Sequence, residues 1–317
     1  MEGGRAVEDM MAGLKEKYKV YAPKRFPNGS IRYGEIDFLS EIVVDEKSHF
    51  SPKEVYLPIA QTIFYFKDSR CEESRPEDER DILIFARACD INAIERLDTI
   101  FLKNGGTEDA YYKRLREKVR FVLIECAGSF DGCFCVSMGT NETGNYMGIL
   151  RDGKIDTQSE PVFVRENKKA VKIPDIDESI VKDVFGLEYW RGFDEECAGC
   201  GRCTAVCPTC SCFDTIDVIY NETSLDGERR RVWGSCMRED FAAMAGGHNV
   251  RKRAGDRMRF KVMHKIYDFK KRFGVSHMCV GCGRCGARCP RDIVFSDIVN
   301  TLADEAQKLK AKGGAAL

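Results

Sequence analysis

The chain has 317 residues, sixteen of them cysteine, and a formal net charge of −1. So even a balance gives no global electrostatic support for nucleic-acid binding, and no stretch approaches the 18 uninterrupted apolar residues of a membrane span. The N-terminus, Met1-Glu-Gly-Gly-Arg5, lacks the apolar centre of a secretory signal, so the expectation is a cytoplasmic protein whose thiols serve metal and not disulfides.

Residues 6–18 place Val7, Met10, Met11, Leu14 and Tyr18 on one side of a short amphipathic helix. Residues 19–26 and 30–36 read as extended segments joined at Pro27-Asn28-Gly29, where Asn-Gly supplies the positive φ a hairpin turn favours. Residues 53–66 end in Ile63-Phe64-Tyr65-Phe66 and predict a strand, and the polar residues 75–80 a loop. Residues 81–86 and 121–124 are short apolar runs of the kind buried on both faces of a sheet. Between them, residues 90–102 have helical spacing with Asp90 as candidate N-cap, and residues 109–118 predict a second helix. Strand–helix–strand order favours a parallel crossover. Residues 1–180 are therefore expected to form a mixed α/β domain.

Cysteines follow both apolar runs: Cys89 after the first, Cys126 and then Cys133 and Cys135 after the second. Ligands of parallel sheets sit at the carboxyl ends of strands. Two readings stay open: a [4Fe–4S] cluster on Cys89, Cys126, Cys133 and Cys135, or four half-buried structural thiols. Cys71, in a charged loop, is read as incidental. The polar loop 139–145 lacks the spacing and lysine of a phosphate loop, and no G-x-G-x-x-G follows a strand, so flavin or nicotinamide binding by this chain is not expected.

Residues 177–189 predict a helix linking to a second domain, residues 181–317, expected to be mainly helical and ferredoxin-like. It carries the run Cys197-x2-Cys200-x2-Cys203-x3-Cys207-Pro208 and its echo Cys279-x2-Cys282-x2-Cys285-x3-Cys289-Pro290. In two-cluster proteins this spacing lets three cysteines hold one [4Fe–4S] cluster while the fourth ligates the other. The expected sets are Cys197, Cys200, Cys203 and Cys289 for one cluster, and Cys207, Cys279, Cys282 and Cys285 for the second. Zinc is disfavoured because it takes two separated pairs and needs no four-cysteine run ending in Cys-Pro.

Between Cys207 and Cys279 lie 71 residues. Residues 213–220 and 229–233 read as paired strands across the loop 221–228. Cys210, Cys212 and Cys236 have two open roles, structural thiols or groups tuning a cluster from outside its ligand shell. Residues 237–272 hold Arg251, Lys252, Arg253, Arg257, Arg259, Lys261, Lys265, Lys270, Lys271 and Arg272. A solvated helix face is the default reading, and compensation of cluster charge or docking of an acidic partner the functional one. His248 and His264 are read as making ordinary polar contacts. Residues 293–310 predict a closing helix and residues 313–317 a frayed end.

Taken together, these residues resemble the iron–sulfur subunit of anaerobic sulfite reductases and, more distantly, the β subunit of cytoplasmic sulfhydrogenases. The resemblance rests on Arg87-Ala-Cys89-Asp90 with Leu97-Asp98, Cys126 with Cys133-Phe-Cys135, Cys207-Pro-Thr-Cys210, Trp233-Gly-Ser-Cys236, Ala245-Gly-Gly-His248 and both cysteine runs. It implies an electron-transfer chain that catalyses nothing itself. It would relay electrons from a flavin subunit oxidising NADH to a sirohaem subunit reducing sulfite to sulfide, with two [4Fe–4S] clusters and room for a third. The alternative is the β subunit of an NAD(P)-linked hydrogenase. Ala88 stands where the sulfhydrogenase relatives are expected to carry proline, which tilts the reading toward sulfite reductase.

Overall fold

A computed structural model describes residues 2–67, 70–75, 78–221, 223 and 226–314. The chain opens with helix α1 (Glu2–Lys17), which runs into strand β1 (Tyr18–Arg25) and its antiparallel partner β2 (Ile31–Glu35). Gly29 takes φ +76° in the turn between them, as Asn-Gly leads one to expect. The segment 53–66 divides into a short helix α2 (Lys53–Tyr56) and strand β3 (Ala60–Lys67), followed by β4 (Arg70–Glu73). Then come β5 (Asp81–Ala86), helices α3 (Ala88–Leu102) and α4 (Ala110–Glu117), β6 (Val119–Ile124), β7 (Ile149–Arg151) and β8 (Lys154–Asp156).

Six of these strands form one sheet in the order β2-β1-β5-β6-β7-β8, in which β1, β5, β6 and β7 are parallel. Both faces are covered, which is why β5 and β6 read as continuous apolar runs. Ile82, Ile84, Phe121 and Leu123 pack with Ile91, Ile94 and Leu97 of α3. Leu83, Phe85, Val122 and Ile124 pack on the other side with Met11 of α1 and Leu39. Asp109 caps α4 by accepting from the Tyr112 N–H at 2.8 Å. Asp90, however, is not a cap. Arg87 holds the N-cap position of α3, and Asp90 lies inside the first turn, wholly buried and committed to a distant arginine.

The second half contains α5 (Val181–Phe185), α6 (Phe193–Glu196), α7 (Arg202–Ala205), β9 (Phe213–Asn221), β10 (Asp226–Trp233), α8 (Ala254–Met263), α9 (Phe269–Phe273), α10 (Arg284–Ala287) and α11 (Phe295–Gly314). The single helix expected over 177–189 is only the short α5, with a 3-10 turn at Glu188–Gly192 beyond Gly186. A π turn, His264–Asp268, joins α8 to α9. Trp190, fully buried, donates from its indole N–H to the Val184 carbonyl at 2.8 Å and anchors a core shared with Met258, Val262, Ile298 and Leu302. Residues 315–317, part of the expected frayed end, lie outside the described residues, and α11 continues to Gly314.

β9 and β10 pair antiparallel, and β10 also pairs with β3 in a four-stranded sheet of order β4-β3-β10-β9. The two halves of the chain thus share a sheet. Among the described residues no helix is long and apolar enough to cross a membrane.

Candidate metal centre

Each cysteine run is a loop wound around an imminent helix. Gly199 and Gly201 in the first, and Gly281 and Gly283 in the second, all take φ between +61° and +73°. Only glycine enters that region without steric cost, so each C-x2-C-x2-C stretch bends into a tight loop whose three cysteines line one cavity. The short helices α7 and α10 then carry Cys203 and Cys285 toward each other.

Two adjoining cavities result. The first is lined by Cys197, Cys200, Cys203, Cys285 and Cys289. The second is lined by Cys203, Cys207, Cys279, Cys282 and Cys285, so that Cys203 and Cys285 border both. The fourth cysteine of each run therefore crosses to the other cavity. Among the described residues no three histidine, cysteine, aspartate or glutamate side chains converge closely enough to hold a single metal ion. Thiols spread around a void fit a multi-iron cube better than one zinc. Burial pushes the Cys279 and Cys285 thiols up, Cys285 to about 12. Such groups do not ionise in the bare protein at neutral pH, whereas iron binding deprotonates them.

The third cysteine group lies against the second cavity. The loop Gly132–Cys135 packs backbone to backbone on Gly281–Gly283. The Phe134 N–H donates to the Gly281 carbonyl at 2.8 Å, and a β-carbon at Gly283 would come within 2.3 Å of the Gly132 oxygen. Cys89 packs beside Ala93, Val280 and Cys282. The Arg87 guanidinium donates to the Cys126 Sγ at 3.2 Å, and the Asn167 Nδ2 to the Cys135 Sγ at 3.5 Å. Burial raises the Cys89 and Cys135 thiols. Arg284, beside Cys285, forms a fork with Asp90, beside Cys89, at 2.6 and 2.8 Å.

Cys210, Cys212 and Cys236 do not line either cavity. Cys210 hydrogen-bonds to Cys207, and Cys212 to Cys236. Cys210 thus stands beside a cysteine of the second cavity, whereas Cys212 and Cys236 partner each other. Cys71 is exposed on β4. His248 is exposed, while burial and then Lys265 hold His264 down to about 4. The basic stretch is not uniformly a solvated face: Arg257, Lys261 and Lys265 are buried. Sequence reasoning also missed Lys53, which is 2 % exposed, donates to the Cys210 carbonyl at 3.0 Å and sits over the Trp233 ring. Nothing in a lone lysine before a strand signals such a role.

A family model described as a 4Fe-4S dicluster domain matches residues 196–293, and such a domain carries two [4Fe–4S] clusters. The chain is 30% identical over 325 aligned positions to the sulfhydrogenase 2 subunit beta of Pyrococcus furiosus, covering 92% of this chain and 94% of that one. No solved structure matches.

Proposed function

Because the chain belongs to the family of the sulfhydrogenase beta subunit, we propose that it is the iron–sulfur relay of a multi-subunit hydrogenase of that kind, working in the cytoplasm. It would stand between a flavin subunit that exchanges electrons with NAD(P)H and a nickel–iron subunit. The observation that carries the relay reading is the pair of adjoining cavities, each ringed by cysteines from both runs. Cubes bound there would supply one-electron carriers. The chain's own part is to hold them side by side and to shield them in an apolar shell that includes Phe134, Met258 and Phe295.

In this proposal the ligands are Cys197, Cys200, Cys203 and Cys289 for the first cluster, and Cys207, Cys279, Cys282 and Cys285 for the second. A third cluster on Cys89, Cys126, Cys133 and Cys135 extends the relay into the α/β domain, residues 1–180. Its support is the stacking of the Cys133–Cys135 loop on the second run, and the hydrogen bonds aimed at the Cys126 and Cys135 sulfurs.

The sulfite reductase reading shares these cysteines and differs in the partner. The residue that tilted toward it carries little weight: Ala88 is the first residue of α3, a position where proline and alanine both fit. Anaerobic purification with native partners decides, since a nickel–iron protein supports the hydrogenase and a sirohaem protein the sulfite reductase. Iron quantitation tests the ligands. About twelve irons per chain are expected for three cubes, falling to about eight in Cys133→Ala/Cys135→Ala. Unchanged iron in that variant removes the third site, and iron-free anaerobic protein removes the relay.

A further inference from the structure

Ten basic residues crowd positions 251–272, yet only some of them leave the solvent. Lys261 and Lys265 lie one helical turn apart, at the end of α8 and in the π turn that follows, and each is 4 % exposed. Four residues apart on a helix, they project from one face. Lys261 lines both cysteine cavities, and among the described residues lining them it is the one cation common to the two. Lys265 lines the second cavity only and donates to the Thr209 hydroxyl at 2.9 Å.

No carboxylate is within salt-bridge distance of either ammonium among the described ion pairs. The sulfurs of Cys203 and Cys285 neighbour Lys261, and those of Cys207 and Cys210 neighbour Lys265. A buried charge needs such a partner, and thiolate-ligated clusters supply one.

We propose that Lys261 is a shared tuning cation, raising the reduction potentials of both clusters together, whereas Lys265 acts on the second cluster alone. The proposal rests on the ligand assignment above. Each cluster gains one negative charge when it accepts one electron, and a fixed positive charge nearby favours that form.

The test is spin-resonance-monitored redox titration of the anaerobic full-length chain, with Cys200→Ser used to label the first cluster's signal. Lys261→Met should lower both midpoints, each by about tenfold in the reduced-to-oxidised ratio at fixed poise, or ~59 mV for a one-electron couple. Lys261→Arg, which keeps the charge, should leave both near wild type. Lys265→Met should lower the second midpoint only. Lys261→Met shifting one midpoint or neither would overturn the proposal, and so would Lys265→Met shifting both equally. Iron loss in Lys261→Met that Lys261→Arg restores would show a holding role and also overturn it. Wild-type protein without two four-iron signals would instead overturn the ligand assignment.

Discussion

The Asp90–Arg284 pair gives the sharpest test of how the two halves are joined. Arg284 is 2 % exposed and Asp90 is wholly buried. The guanidinium makes a two-pronged contact with the carboxylate at 2.6 and 2.8 Å and also donates to the Ser48 carbonyl and hydroxyl at 3.0 Å each. Arg284→Met leaves the carboxylate buried with the Tyr33 hydroxyl at 3.5 Å as its remaining described side-chain partner. Stranding one member of a buried pair costs about 3–5 kcal/mol, whereas replacing both by apolar groups of similar volume is often neutral. The single loss is a large fraction of the about 5–15 kcal/mol that holds a typical domain. In anaerobic urea denaturation followed by circular dichroism, Arg284→Met should unfold well below wild type. Asp90→Leu/Arg284→Met should recover most of the difference. Cluster loss makes unfolding irreversible, so the order of the midpoints is the readout. A single variant that unfolds with wild type, or a double variant worse than the single, would refute the reasoning.

Gly283→Ala should lower the iron content of the second run, because the new β-carbon meets the Gly132 oxygen at 2.3 Å and φ is +72°; iron quantitation against Gly128→Ala, where nothing lies within 4 Å, checks it. Trp190→Phe should lower thermal stability by about 0.5–1.5 kcal/mol, since the Val184 carbonyl loses its indole donor and keeps only backbone partners such as the Leu187 N–H; a melt matching wild type would contradict the packing described. His264 is held at about 4, below its ordinary 6.5, by burial and then by Lys265. The unfolded chain therefore binds the extra proton first, so this contribution is complete above about pH 6.5 and is lost as pH falls toward 4. His264→Gln should show a shallower loss of stability than wild type across that window, and parallel curves would argue against it.

Much of the candidate centre was legible because its information is local. C-x2-C-x2-C-x3-C-P states how far apart thiols must lie on a glycine-bent loop, and the crossing of Cys207 and Cys289 to the opposite cavity follows from that spacing. β5 and β6 were equally readable, since a strand buried on both faces is a plain apolar run. Asp90 shows where local reading fails. An acidic residue before a helical pattern looks like a cap, and only the arrival of Arg284, 194 positions away, makes it a buried ion-pair partner.

Lys261, Lys265 and Lys53 were hidden for the same reason. A lysine in a basic stretch is solvated by default, and what removes it from water is a packing partner that the neighbouring sequence does not name. The pairing of β10 with β3, more than 150 residues apart, belongs to this class as well. The sequence alone named the eight thiols that line the two cavities, because a C-x2-C-x2-C-x3-C-P run is a local pattern. The tertiary structure alone decided which charges surround those atoms and which surfaces meet, because burial depends on segments brought together only when the chain has folded.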